Sequence, residues 1–139
     1  MNARKLFFVS LLLYGAQCLA EPLTGDVERG RVVFGACRTC HYPDKGAGHQ
    51  NGPSLWNIFG QRAGAQEGFA YYSAALRPSG LVWSREYLDA WLANPSGFLP
   101  GTTMMSLGVP DPQARADLIA YLQQANQTPV CRGSPPSRP

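Results

Sequence analysis

Cys37-Arg38-Thr39-Cys40-His41 places two thiols three positions apart, with an imidazole directly after the second. The residues before it, from Asp26 to about Ala36, predict a helix: Asp26 is a good N-cap, and Val27, Gly30 and Phe34 fall on one face. At a helix end, thiols at i and i+3 lie about one turn apart. A redox dithiol would want a strand–helix context, which is missing here. A zinc site would want a second Cys/His pair at suitable spacing, and the sequence has none. The spacing does match the two vinyl groups of a haem, which the thiols can close as thioethers while the imidazole lies beneath the iron.

Downstream, Gly46, Gly48, Gly52-Pro53, Gly60, Gly64, Gly68 and Pro78-Ser79-Gly80 break every long element between Tyr42 and Gly80. So long an irregular stretch in a small domain is expected where loops wrap something other than polypeptide. Ser84 caps a second predicted helix that runs to about Asn94, where Pro95 stops it; Leu88, Trp91 and Leu92 make its buried stripe. Asp111-Pro112 opens a third, with Ala114, Leu118, Tyr121, Leu122 and Ala125 at helical spacing, and Thr128-Pro129 closes it. No alternation argues for a sheet. The expected fold is all-α, with three main helices plus short turns and long loops around a covalently bound haem. Gly30 is a cost inside the first helix unless another element packs closely on it.

The 139 residues, 45% hydrophobic and 15% charged, suit one domain. Met1 to Lys5 is a short basic start, Leu6 to Ala16 an apolar run, and Cys18-Leu19-Ala20 ends in a small residue, so residues 1–20 read as a cleaved secretory signal peptide. The apolar run is too short for a stable membrane anchor, which needs about 20 residues. A domain over 21–127 and a disordered tail over 128–139 follow. Loss of Arg4 and Lys5 lowers the formal charge of +3 by two. The remaining cations are scattered, with Lys45 the single lysine, which excludes nucleic acid as the principal partner. After cleavage Cys37, Cys40 and Cys131 remain, an odd number that does not suit a disulfide scaffold. Cys131 reads as a free thiol on a monomer, with an intermolecular disulfide dimer as the alternative.

A haem held by His41 has a second axial position, and the exported chain offers His49, Met104 and Met105 as neutral strong ligands. His49 follows His41 closely, across Gly46 and Gly48, and reads as a hydrogen bonder that ties a loop. Both methionines lie in the turn segment Pro100-Gly101-Thr102-Thr103-Met104-Met105.

From Gly25 to about Ala125 the chain resembles class I soluble cytochromes c of the mitochondrial and bacterial type. The resemblance runs through Gly25 to Gly30, Phe34, Cys37 to His41, Gly52-Pro53-Ser54-Leu55 and Phe59-Gly60. It continues through Gly68-Phe69, Tyr72-Ser73, Gly80 to Trp83, Asn94-Pro95, Pro100 to Met104 and Arg115 to Leu122. It implies one haem c on Cys37 and Cys40, with His41 and Met104 as the iron ligands and Met104 preferred over Met105. It also implies that the Pro53 carbonyl accepts the His41 ring N–H. Tyr72 and Trp83 would bond a haem propionate, and Gly30 and Phe34 would meet Leu118 and Tyr121 of the last helix.

Four features depart from the family pattern. Gln61 stands where an arginine often lies near a propionate. Leu76 and Trp91 stand where many members have Asn and Tyr, which makes a drier crevice and shifts the potential. Tyr71-Tyr72 leaves the choice of tyrosine open. Ser106 replaces an aromatic and would loosen the Met104 loop.

With both axial positions filled, the resemblance implies an electron-transfer protein rather than an enzyme: a periplasmic carrier between a donor dehydrogenase or quinol-oxidising complex and an acceptor oxidase or reductase. With one lysine, docking is expected through a small apolar patch with weak salt dependence. The alternative is a haem enzyme or a gas- or peroxide-responsive protein in which Met104 is labile. It would need an acid–base partner that the sequence does not supply.

Overall fold

Asp26 accepts the amide of Arg29 through its side chain and opens helix α1, Val27–Val33. A single 3-10 turn, Phe34–Ala36, then tightens the chain into the two-cysteine segment. These coordinates are a computed structural model that describes residues 23–127. The expected leader, the tail and Cys131 lie outside the described residues.

Helix α2, Arg85–Ala93, is capped by Ser84, whose hydroxyl accepts the Tyr87 amide at 3.2 Å. Pro95 ends it as expected but also starts a further helix. Asn94 accepts the Gly97 amide at 3.0 Å and caps α3, Pro95–Phe98, because a proline in the first turn costs no hydrogen bond there. Helix α4 runs Pro112–Gln127. Asp111 caps it, accepting from the Gln113 amide at 2.7 Å.

The three longer helices build the core. Phe34, Leu118 and Ile119 are almost wholly buried, and the Phe34 and Tyr121 rings meet at 5.3 Å. Gly30 lies against the α4 backbone at Asp117 and against the Tyr121 side chain, where a Cβ would have no room. The cost of a glycine within α1 is therefore offset by close helix contact.

The long loops are tied rather than loose. Gly60 and Trp83 pair through the backbone at 2.8 Å, Ala63 and Leu81 at 2.8 Å, and Trp83 and Gln61 at 2.9 Å. Around them the one element of sheet type among the described residues is an isolated antiparallel bridge, Arg62 to Val82. Asn126 near the end of α4 accepts the Ile58 amide at 2.8 Å and donates to the Leu55 carbonyl at 3.2 Å. Among the described residues no helix is long and apolar enough to cross a membrane.

Candidate haem site

The turn after α1 is closed by two amides, Cys40 and His41, both donating to the Cys37 carbonyl at 3.1 and 2.9 Å. Cys37 and Cys40 are half-buried, and neither is in a disulfide. Burial pushes the Cys37 thiol up, with a smaller contribution from Cys40. Both sulfurs therefore remain available for covalent attachment.

His41 is held from one side. Its Nδ1 lies 2.7 Å from the Pro53 carbonyl oxygen, which has no hydrogen to give, so Nδ1 donates. The lone pair is then on Nε2. Burial lowers the His41 pKa, and the Pro53 contact opposes it more weakly, so the ring is kept neutral as a metal ligand must be. Gly52 lies flat against the imidazole, with no space for a Cβ, and its amide donates to the Cys40 carbonyl at 2.9 Å. The Gly52-Pro53 pair thus holds the ring in place from both backbone and carbonyl. Sequence reasoning did not assign Gly52 this role, although its position before Pro53 carries the signal.

Met104 is half-buried and packs against the hydrophobic core. Along residues 102–108 burial alternates: Thr102, Met104, Ser106 and Gly108 are half-buried, while Thr103, Met105 and Leu107 are exposed. This alternation puts the two neighbouring methionines on opposite sides of the chain. Met104 goes inward and Met105 outward.

The segment is better anchored than Ser106 suggests from the sequence. The Ser106 hydroxyl accepts the Gly108 amide at 3.1 Å, and Thr102 accepts the Met104 amide at 3.2 Å. The Val109 amide donates to the Leu92 carbonyl at 2.7 Å. Arg115 of α4 binds the Val109 and Pro110 carbonyls at 3.0 and 2.8 Å and Asp89 of α2 at 2.7 Å. Arg115 was not singled out in the sequence, since a lone helical arginine carries no signal of its partners.

Tyr72 and Tyr71 part in the same way. Tyr72 is half-buried, packs edge-on to Phe69 at 4.9 Å and accepts the Gln66 amide at 3.3 Å, whereas Tyr71 is exposed. Trp83 is buried and meets the Trp91 ring edge-on at 5.5 Å. Leu76 and Trp91 are buried as apolar wall, and Gln61 is exposed.

His49 takes the loop-tying part. Its Nε2 lies 2.8 Å from the Glu67 carbonyl, and its Nδ1 accepts the Ser54 amide at 3.0 Å, so both ring nitrogens are engaged. With His49 occupied and Met105 turned outward, Met104 is the one of the three candidates left facing the interior.

Two thiols, a neutral imidazole presenting Nε2, an inward thioether and an apolar wall make a donor set that suits haem c. The family described as Cytochrome c matches residues 27–126. Cytochrome c of Sesamum indicum is 44% identical over 106 residues, covering 76% of this chain and 95% of that protein. Cytochrome c of Chlamydomonas reinhardtii is 43% identical over 107 residues, with 76% and 95% covered. The solved structure of cytochrome cH from Methylobacterium extorquens superposes with a TM-score of 0.67 at 39% identity, covering 72% of this chain and 99% of that one. The all-α chain belongs to the cytochrome c family, whose members are single-electron carriers with one covalently bound haem c and are not enzymes.

Proposed function

We propose that Cys37 and Cys40 carry the haem as thioethers and that His41 and Met104 are its axial ligands. Tyr72 and Trp83 hydrogen-bond a haem propionate, through the phenol hydroxyl and the indole N–H. The contact that carries this reading is the 2.7 Å bond from His41 Nδ1 to the Pro53 carbonyl, which fixes the tautomer and leaves Nε2 as the ligating atom.

When bound, the group supplies a one-electron couple. The chain does the rest. Pro53 and Gly52 fix His41 in one orientation, so the ligand geometry changes little between oxidation states. The tied 102–110 segment keeps Met104 inward, and a filled position leaves no site for dioxygen or peroxide. Leu76, Trp83 and Trp91 exclude water, which disfavours the extra charge of the ferric state and raises the potential.

The working place is the periplasm. The basic start, apolar run and small residue at Ala20 support export with cleavage after residue 20. The electron donor is a dehydrogenase or a quinol-oxidising complex, and the acceptor an oxidase or reductase.

The test is the visible spectrum of protein exported in a host able to attach haem, recorded oxidised, reduced, and reduced with carbon monoxide. A far-red band of ferric sulfur ligation, lost in Met104→Ala and retained in Met105→Ala, together with no carbon monoxide response, is the expected result. A prompt response of the native chain would show an open sixth position and overturn it.

A further inference from the structure

Asn51 is the one asparagine in the chain that is followed by glycine. Asparagine is a thermolabile residue, because the main-chain nitrogen of the next residue can attack its side-chain carbonyl. That attack needs an N–H and little bulk on the following residue. Asn94 precedes Pro95, which has no N–H, Asn57 precedes the branched Ile58, and Asn126 precedes the long Gln127. Asn51 is exposed, and Gly52 brings no side chain to hinder the approach. What restrains the pair is the fold. The Gly52 amide donates to the Cys40 carbonyl at 2.9 Å, and the Gly52 carbonyl accepts the Gln50 amide at 2.9 Å. Gly52 also lies against the His41 ring with no space for a Cβ, so its peptide plane cannot turn toward the Asn51 side chain while this turn is closed.

We propose that Asn51 is a self-modification site whose amide chemistry the Cys40–Gly52 contact holds off, so that conversion marks chains in which this turn has opened. In the open turn the Gly52 nitrogen gives its proton to hydroxide and bonds to the side-chain carbonyl carbon of Asn51. The bond from that carbon to the side-chain nitrogen breaks, and ammonia leaves with a proton taken from water. One water then opens the resulting succinimide. Cleavage at the former side-chain carbon leaves an aspartate and an unchanged main chain. Cleavage at the main-chain carbonyl leaves an isoaspartate, whose main chain runs through the former side chain and is one carbon longer. The sum is one water consumed and one ammonia released, with nothing oxidised or reduced. The aspartate sits at an exposed position and disturbs no contact. The isoaspartate lengthens the chain just before Gly52 and Pro53, which hold His41 by close approach and by the 2.7 Å bond to Nδ1, so the turn no longer closes as before.

Trypsin cleavage after Lys45 and Arg62 releases residues 46–62, which carry Asn51 and Asn57 but neither attachment cysteine. The holoprotein is kept at mildly alkaline pH, native and in denaturant. This peptide is then followed by mass for the amide-to-acid change and by isoaspartyl methyltransferase for the isoaspartate. Conversion at Asn51 should be at least about tenfold slower in the native chain, because the modification follows the population of the open turn. Asn57, in the same peptide, should stay unconverted in both, and Asn51→Gln should abolish the change. Returned to native conditions, the isoaspartate form should unfold at lower denaturant than the native chain, whereas Asn51→Asp should unfold with it.

Equal rates at Asn51 in native and denatured chains, or no conversion in either, would overturn the proposal. So would an isoaspartate form that unfolds with the native chain. The amide rates depend on the Cys40, His41 and Gly52 geometry and not on which group fills the sixth iron position. The visible spectrum recorded before ageing tests the carrier reading separately, and failure of that reading leaves the amide rates standing.

Discussion

Asp117 of α4 accepts the backbone amide of Asp26, the residue that caps α1, at 2.7 Å. The same carboxylate receives Arg29 Nε at 2.7 Å, Arg29 Nη2 at 2.9 Å and Gln113 Nε2 at 2.9 Å. One buried side chain therefore joins the start of α1 to α4 and orders the cap that begins the helix leading into the two-cysteine turn. Arg29 above all, and then the Asp26 amide, hold the Asp117 carboxyl far below the usual carboxylate range.

Because that pKa is depressed in the folded chain, the stabilisation is complete above the ordinary carboxylate pKa and is lost as pH falls through it towards the folded value. Asp117→Asn is expected to melt several degrees lower at neutral pH and to show a flatter loss of stability below about pH 5. Thermal melts across pH 2 to 7 check this. Parallel curves for the two proteins would show that Asp117 is not the linked group.

Gly30→Ala sets a methyl group against the Asp117 carbonyl and Tyr121. Overpacking costs about 1–3 kcal/mol and helix propensity returns up to about 1 kcal/mol, so denaturant unfolding should show a net loss of about 1–2 kcal/mol. A stabilised variant would mean that α1 and α4 part easily.

Asn126→Ala leaves the Ile58 amide and the Leu55 carbonyl without their side-chain partner. A loss of about 1–3 kcal/mol in stability, with an unchanged visible spectrum, is expected. An altered spectrum would place Asn126 closer to the haem than its contacts do.

Tyr72→Phe removes the acceptor of the Gln66 amide and should cost about 1 kcal/mol. Tyr71→Phe, at an exposed ring, should stay within about 0.5 kcal/mol of native. The reverse order would show that the other tyrosine faces inward.

Much of the candidate site is legible in the sequence because its chemistry is local. Cys37, Cys40 and His41 are joined by a spacing that admits few chemistries, and Asp26, Ser84 and Asp111 announce helix starts through side chains that bond an amide two or three residues on. The partners behind these residues are less legible. The loop-tying part of His49 was readable but its partners Glu67 and Ser54 were not, and Arg115 reaches α2 and the 102–110 segment through contacts that depend on the packed fold.

The sequence by itself determined the three longer helices, the attachment motif and a three-residue choice for the second ligand, since caps, spacing and residue inventory act within a few positions of the chain. Only the tertiary structure turned Met104 and Tyr72 inward and Met105 and Tyr71 outward. Neighbours of the same type are equivalent in composition and differ only in which side of an extended backbone meets the core. It likewise supplied the surface against which Gly30 packs, because a glycine gains from close approach only when another helix is there to approach it.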